Sequence, residues 1–357
     1  MAKDTPYISV VIVSRNDDHG SRMFLRTQAC VNGMIAQMEK HKIPSELVFV
    51  EWLPPFNKPL LKDIFPWPKK TEWCQIRIIV VSPSDIGNCE WSEDYSIRDL
   101  TPWNVGIRLA KGDFILSITA DILFSDELIN FFSQRKLEKN KMYRIDRCNV
   151  NKKVMDLGQH DEQLRYCKKN IIDIYAPYPF ESFIKGKVLK KKLPFLHNYS
   201  PGDFMLFSKE RWNLLHGFPE GISPGADNIL LYMAYLSGAK EYVFKKPMRL
   251  YHIDHKSKWQ TPLYMLLRKF FYRTKLPYPF TTILTLLASK LQRSKSYLEV
   301  NNFKLLKREE IYYLILDMVQ GKRPYIYNDE NWGLGGQQFE EFILPLNNKI
   351  LTKSNSL

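Results

Sequence analysis

Polar residues follow three stretches of the sequence whose apolar runs favour buried β-strands. Residues 14–18 come directly after ISVVIV, Glu51 after LVFV, and Asp121 after FILSITA. Because the ligands of open α/β sheets bind at the carboxyl ends of the strands, we expect these groups to share one edge. Carboxylates at such an edge can hold a divalent cation, which neutralises the charge of a bound diphosphate.

The glycine-rich motifs that bind phosphates in other nucleotide-binding proteins are missing. No G-x-G-x-x-G follows the first strand, and no G-x-x-x-x-G-K-[ST] occurs. The zinc-binding patterns C-x-x-C and H-E-x-x-H are also missing. A diphosphate bound at the strand ends would therefore need its charge neutralised by other means, most simply by a cation on carboxylates.

The elements that must position these groups alternate between strand and helix. Predicted strands at residues 8–13, 47–50, 76–81 and 114–118 are separated by predicted helices near residues 24–38 and 102–110. This order predicts a doubly wound, mostly parallel sheet with right-handed crossovers and flanking helices. The second half is less regular, with a helix expected at residues 227–236.

Composition predicts a folded chain with anionic partners. Of the 357 residues, 45% are hydrophobic and 25% charged, which is ordinary for globular proteins. The net charge of +14 favours nucleic acid, anionic lipid or sugar nucleotides as partners, without choosing among them. Five dispersed cysteines favour a reduced, cytoplasmic protein, and no apolar run is long enough for a signal peptide or a membrane span.

Several segments together resemble family 2 glycosyltransferases. ISVVIVSRND, ELVFVEW and NVGIRLAKGDFILSITADILFSDEL are similar to the nucleotide-binding half of that family, and GDFMLFSKERWNLLHGFPE and MRLYHIDH to its acceptor half. With NDENWGL, they resemble a mostly uncharacterised bacterial subgroup. The resemblance covers residues 7–255 and a patch near 328–334. It implies a GT-A-type α/β domain at 1–255, divided at 125/126, and a basic, aromatic helical appendage at 256–357.

The resemblance also implies which residues bind the nucleotide sugar. The family's nucleoside contacts fall on Ser14, Arg15 and Asn16. The acid that contacts its base falls on Glu51; a carboxylate can accept the imide N–H of uracil, so a UDP-sugar is expected. Two further donor contacts fall on Asn104 and Arg108. In the alternatives, Glu51 is an ordinary surface carboxylate and Asn104 is a helix N-cap.

The metal motif departs from the family's Asp-x-Asp, because Thr119-Ala120-Asp121 keeps one carboxylate. The resemblance implies that Asp121 holds the cation, with one of His252 and His255 as a further ligand. A mixed oxygen and imidazole shell favours Mn²⁺ over Mg²⁺. The alternative is that these histidines are structural and hydrogen-bonded.

An inverting transfer needs a general base beside the acceptor hydroxyl. The resemblance places it at Asp227, at the start of the predicted helix, with Asp203 and then Glu220 as the other candidates. The alternative for Asp227 is a helix N-cap, since Asp is favoured there.

Residues 256–295 combine aromatic, apolar and basic residues without any Asp or Glu. They favour a helical segment on an anionic membrane surface, at the inner face of the cell membrane, or else helices packed on the domain. The expected function is an inverting glycosyltransferase acting on a glycan or lipid-linked acceptor. Two alternatives are an inactive binding module on the same scaffold and a nucleic-acid-binding protein. Only charge favours the last, so no nucleic-acid partner is expected.

Overall fold

The computed structural model describes residues 5–17, 21–86, 100–176, 193–223, 225–255, 304–306 and 308–344. The strands, in chain order, are β1 (Ile8–Ser14), β2 (Ser45–Trp52), β3 (Cys74–Val81), β4 (Phe114–Ile118), β5 (Ile122–Phe124), β6 (Lys141–Ile145), β7 (Arg147–Val150), β8 (Ile171–Tyr175), β9 (Met205–Ser208), β10 (Ile222–Ser223), β11 (Lys240–Phe244), β12 (Leu250–Ile253), β13 (Lys304–Leu305) and β14 (Glu340–Leu344). The helices are α1 (Met23–Lys40), α2 (Leu61–Ile64), α3 (Thr101–Leu109), α4 (Asp126–Ser133), α5 (His160–Lys169), α6 (Lys209–Leu215), α7 (Ala226–Leu236) and α8 (Arg308–Val319).

The main sheet has eight strands in the order β11–β6–β9–β4–β1–β2–β3–β14. The pairs β11/β6, β4/β1, β1/β2 and β2/β3 are parallel. The pairs β6/β9, β9/β4 and β3/β14 are antiparallel. This mixed, mostly parallel sheet between helices confirms the α/β fold class predicted from the sequence.

Apolar residues bury both faces of the central strand β1. Ile8, Val10 and Ile12 belong to one hydrophobic cluster, whereas Val11 and Val13 belong to a second cluster on the opposite face. This division follows from the alternation of side chains along a strand. It explains why residues 10–13 are continuously apolar rather than alternating.

Helix α3 lies very close to the sheet at Gly106. A Cβ atom at this position would come within 2.5 Å of a methyl group of Val11 and 3.0 Å of Val50. Only glycine lets the helix backbone approach β1 and β2 this closely. The approach fixes α3, and therefore the start of β4, against the centre of the sheet.

The chain changes direction across the sheet between β1 and β4. From β1 it proceeds through α1, β2 and β3 on one side, and α3 then returns it to β4 on the other. Such a switch point leaves a crevice outside the carboxyl ends of the two strands, where open α/β sheets bind ligands.

A second sheet of four strands, in the order β5–β12–β7–β8, begins at this crevice. Its edge strand β5 starts immediately after Asp121. Next to it, β12 brings His252 opposite Ile122 of β5 and Asn149 of β7. The small sheet therefore carries residues from the second half of the chain to the end of β4.

Described residues beyond the domain boundary predicted at residue 255 pack against the main sheet and its helices. Strand β14 pairs with β3 as an edge of the main sheet, and Ile315 and Met318 of α8 are buried in the same cluster as Ile229 of α7. Strand β14 and helix α8 thus contribute to the main sheet and to its core, while the boundary itself stays a prediction. Residues 256–303, which include the basic aromatic segment, lie outside the described residues.

Among the described residues, no helix is long and apolar enough to cross a membrane. Of the five cysteines in the sequence, four are described, and each is buried and free: Cys30, Cys74, Cys148 and Cys167.

Candidate metal and donor site

Asp121 lies at the junction of the two sheets. It follows the carboxyl end of β4 by three residues and directly precedes β5. Its backbone carbonyl accepts a hydrogen bond from the N–H of Ile253 at 3.0 Å, which fixes Asp121 to the end of β12. The side chain is buried, with 7% of its surface exposed.

Two histidines converge on this carboxylate. Oδ2 of Asp121 lies 3.1 Å from Nε2 of His255 and 3.5 Å from Nε2 of His252. One potential ligand atom from each of the three residues can be chosen so that all lie within 4.8 Å of one another. The sequence predicted that only one of the two histidines would be a metal ligand. The structure brings both to Asp121, and ligation stays a prediction. His252 and His255 would not share a face of a strand, but β12 ends at Ile253, and the turn after it brings His255 back to the same carboxylate.

Arg26 of α1 also contacts Asp121. Its Nη1 lies 2.8 Å from Oδ2, and both side chains are buried. Burial alone raises the pKa of Asp121, but His252, His255 and Arg26 outweigh that effect and hold this pKa well below its usual range. Asp121 is thus ionised in the folded protein.

The donor set fits a divalent cation. Burial, reinforced by the charge of Arg147, lowers the pKa of His252 to about 3, so this imidazole is neutral, as a metal ligand must be. Among the described residues, neither Oδ1 of Asp121 nor Nδ1 of His252 has a hydrogen-bond partner. One carboxylate and two imidazoles suit Mn²⁺ and similar transition-metal ions better than Mg²⁺.

Asp203 adjoins this cluster from a second direction. Its Oδ2 lies 2.8 Å from Nη1 of Arg147, and its Oδ1 lies 3.5 Å from the hydroxyl of Thr119. Arg147 in turn donates from Nε to the side-chain oxygen of Asn149, at 2.9 Å. Asp203 is therefore held between the end of β4 and the polar face of the second sheet.

A fully buried arginine organises the turn that carries Asp203. The guanidinium of Arg144, on β6, donates to the backbone carbonyls of His197, Tyr199 and Pro201 at 3.1–3.2 Å. Its burial lowers the pKa of Arg144 to about 10, so it keeps its charge at neutral pH. These bonds satisfy carbonyls of an irregular segment that has no strand partner, and they fix its course.

Asp227 lies in the first turn of α7, one residue inside the helix. Its Oδ2 accepts from the N–H of Gly202 at 3.0 Å, and its Oδ1 accepts from the N–H of Asn228 at 2.9 Å. The alternative of an N-cap is wrong, because Gly225 occupies that position with φ 102°. Burial raises the pKa of Asp227, which favours a role as a proton acceptor.

The residues after β1 lie at the predicted edge. Ser14 is hydrogen-bonded to the hydroxyl of Thr27 at 3.3 Å, Arg15 is paired with Asp17, and Asn16 donates to the carbonyl of Pro59 at 2.8 Å. Ser14 is also opposite Glu51 in the register of β1 and β2. The expected grouping at the strand ends is present, while contact with a nucleoside stays a prediction.

Glu51 is fully buried, so the alternative of a surface carboxylate is wrong. Both of its carboxylate oxygens lie 2.9 Å from the backbone N of Leu61, at the start of α2. Burial raises the pKa of Glu51 to about 7, although the hydrogen bond from Leu61 acts in the opposite sense. Glu51 thus anchors the loop that follows β2, and its contact with a base stays a prediction.

Asn104 and Arg108 make contacts that the sequence did not predict. Asn104 lies inside α3 rather than at its N-cap, and its amide bonds to both backbone polar groups of Phe218 and to Glu220. Arg108 donates to the carbonyls of Glu330 and Trp332 at 2.9 and 2.8 Å. These bonds fasten α3 to the 216–220 loop and the 328–334 patch. Glu220, bonded to Asn104 and the N–H of Gly333, belongs to this structural network.

The arginines of the site were missed by sequence reasoning. Arg26 lies four residues before Cys30 and eight before Met34, so it occupies the buried face of α1. An arginine at a core position of an amphipathic helix was a signal that a buried acid faces it. Arg144 and Arg147 break the apolar pattern of β6 and β7, so these strands were not predicted.

Comparisons with known proteins found similarity to solved structures alone. No family model matches the chain, and no curated protein does. Among solved structures it is similar to S. aureus TarS 1–349, with a TM-score of 0.40 and 15% identity, over 69% of this chain and 60% of that one. It is also similar to GalNAc-T7, crystallised with UDP, GalNAc and Mn²⁺, with a TM-score of 0.44 and 13% identity, over 93% and 56%. The chain thus spans less than two thirds of the length of either structure.

Proposed function

We propose that this protein is a metal-assisted glycosyltransferase that uses a nucleoside diphosphate sugar as its donor. The observation that carries the proposal is the cluster of Asp121, His252 and His255 at the switch point of the main sheet. A cation held there lies in the crevice where α/β sheets bind nucleotides. The resemblance of the sequence to family 2 glycosyltransferases supports the same assignment.

Asp121, His252 and His255 would hold the cation. When bound, the cation supplies positive charge to the donor's diphosphate and stabilises the negative charge of the leaving nucleoside diphosphate. Arg26 and Arg147 add fixed positive charge beside it. The residues after β1, together with Glu51, would bind the nucleoside. A carboxylate facing the imide N–H of uracil favours a UDP-sugar.

We propose an inverting transfer with Asp227 as the general base. The acceptor oxygen forms a bond to the anomeric carbon, the bond from that carbon to the diphosphate breaks, and the hydroxyl proton passes to the carboxylate. The raised pKa of Asp227 favours it over Asp203, which is paired with Arg147. Asp203 remains the second candidate.

The proposed acceptor is a glycan or a lipid-linked sugar presented at an anionic membrane surface on the cytoplasmic side. The composition of residues 256–295, where bases and apolar residues occur without acids, supports this proposal. We expect the full chain to bind anionic vesicles at low salt. Neutralising Arg268, Lys269, Arg273 and Lys275 together should weaken that binding and leave UDP binding unchanged.

An inactive sugar-nucleotide-binding module is the second candidate function. It is favoured by the single carboxylate of the metal motif, which Arg26 already neutralises. Such a module would bind the donor without turning it over.

Hydrolysis of nucleotide sugars in the absence of acceptor separates the two candidates. A panel of UDP- and GDP-sugars is incubated with the full chain, with and without Mn²⁺, and the released diphosphate is measured. Mn²⁺-dependent release that is lost in H252A and retained in R22M supports the enzyme. Arg22 is a suitable control because its ion pair with Asp156 lies at the surface. Donor binding without any release, in the presence of Mn²⁺, supports the binding module.

A further inference from the structure

The guanidinium of Arg26 contacts Asp121, so a positively charged side chain lies at the proposed metal site. Arg26 Nη1 and Nε2 of both histidines all lie within 3.5 Å of the same oxygen, Oδ2. The other oxygen, Oδ1, has no partner among the described residues. A metal ion that binds this carboxylate must therefore do so in the presence of a guanidinium.

Two ion pairs lie at the cluster. Asp121 is paired with Arg26 and Asp203 with Arg147, and the four side chains are between 2% and 17% exposed. A divalent ion alone would add two positive charges to this poorly hydrated region, beside Arg26 and Arg147, which is costly. A nucleoside diphosphate carries the negative charge that compensates it.

We propose that Arg26 couples the two ligands: its charge opposes binding of the cation alone and makes cation and nucleoside diphosphate bind together. In the free protein, Arg26 substitutes for the cation as the counter-ion of Asp121. With both ligands bound, its guanidinium donates to phosphate oxygens, which it matches in geometry. This inference rests on the proposed function, because it assumes that the diphosphate binds at this cluster.

The coupling has a defined size and must be reciprocal. Coupling between two ligands of one protein commonly changes each affinity by about 5- to 150-fold. We expect saturating UDP to tighten Mn²⁺ binding to the wild type at least about tenfold, and saturating Mn²⁺ to tighten UDP binding by the same factor.

Substitutions at Arg26 separate its charge from its packing. R26Q removes the charge but keeps an amide that can donate to Asp121, and R26M keeps only the apolar stem. Both should bind Mn²⁺ alone more tightly than the wild type, by about tenfold, and should reduce the coupling factor to about threefold or less. R26K keeps the charge and should keep most of the coupling. R22M, at the N-cap position of the same helix, should match the wild type.

The test is a titration of the full-length protein with Mn²⁺, with and without UDP, in which electron paramagnetic resonance measures free Mn²⁺. Tighter Mn²⁺ binding in the neutral variants together with lost coupling supports the inference. Equal Mn²⁺ affinity in wild type, R26Q and R26M overturns it, even if the wild type couples Mn²⁺ to UDP. A wild type that binds neither ligand contradicts the proposed function instead. Circular dichroism confirms folding, and R26Q suffices where R26M does not fold.

Discussion

Asp227 accepts a hydrogen bond from the backbone N–H of Gly202, with 3.0 Å between Oδ2 and the nitrogen. The bond fastens the first turn of α7 to the 3₁₀ turn Pro201–Asp203, so the two candidate bases are mechanically linked. Either residue could therefore act on the acceptor directly or through the position of the other.

We expect D227N to lower kcat at least about 100-fold, the usual contribution of a general base, while the Kd for UDP with Mn²⁺ changes less than about threefold. Asparagine keeps one oxygen that can accept from Gly202, so the turn should persist. Turnover of the best donor and calorimetric UDP binding measure the two effects. D203N is the comparison: if it abolishes turnover while D227N retains it, the base is Asp203 and Asp227 positions it.

Replacing Asp121 should remove the cation site without unfolding the protein. D121N preserves shape and an oxygen that can accept from Arg26, but it removes the charge that would hold the cation. We expect Mn²⁺-dependent UDP binding and transfer to fall below detection, with circular dichroism unchanged. The control is D126N, whose carboxylate pairs with Lys40 and His41 near the surface. Wild-type turnover in D121N would place the metal elsewhere or make transfer metal-independent.

Glu51 should make stability depend on pH. Its pKa is raised from 4.5 to about 7 in the folded state, so the folded protein binds the proton more tightly than the unfolded chain. The stabilisation is fully present below the unfolded pKa and is lost as the pH rises through 7. A shift of this size corresponds to roughly 3 kcal/mol.

E51Q cannot ionise, so it should match the wild type near pH 4.5 and exceed it in unfolding free energy at pH 8, by up to about 3 kcal/mol. Urea denaturation at pH 4.5, 6 and 8 measures the difference. A difference that stays constant with pH would show that Glu51 titrates near its ordinary value.

We expect Asn104 to stabilise the fold rather than to bind the donor. Its amide bonds to Phe218 and Glu220, and a Cβ at Gly217 would lie 2.3 Å from its Oδ1, so the loop is closely fitted to it. N104A leaves buried backbone groups unsatisfied and should cost about 1–3 kcal/mol of stability, with UDP affinity unchanged. N328A is a matched control, since Asn328 bonds to the same loop from the 328–334 patch. A selective loss of UDP affinity in N104A alone would restore Asn104 to the donor site.

The first 125 residues could be predicted because their long strands are buried on both faces. The mostly apolar runs that end just before Ser14, just before Glu51 and at Ile118 locate the edge of the sheet directly. The second half could not be predicted in this way, because β6 and β7 carry Arg144 and Arg147, whose burial depends on partners distant in sequence.

Local sequence rules also misplaced individual residues of the site. Side chains alternate between the two faces of a strand, so His252 and His255, three residues apart, were not expected at one site. The strand ends at Ile253, between them, so the alternation does not extend to His255. Asn104 was a candidate N-cap because asparagine is favoured at that position. In the structure α3 starts earlier, and its N-cap is Leu100, which makes no side-chain hydrogen bond. The pairing of β14 with β3 joins segments at opposite ends of the domain, and no local pattern indicated it.

Electron spin echo envelope modulation of Mn²⁺ bound to the full chain with UDP tests the central claim most directly. If Asp121, His252 and His255 hold the cation beside the donor's diphosphate, the spectrum will contain nitrogen couplings from imidazole and phosphorus couplings from UDP. The nitrogen couplings will weaken in H252A and in H255A. Bound Mn²⁺ with phosphorus couplings but no imidazole nitrogen, and unchanged in both variants, would contradict the claim.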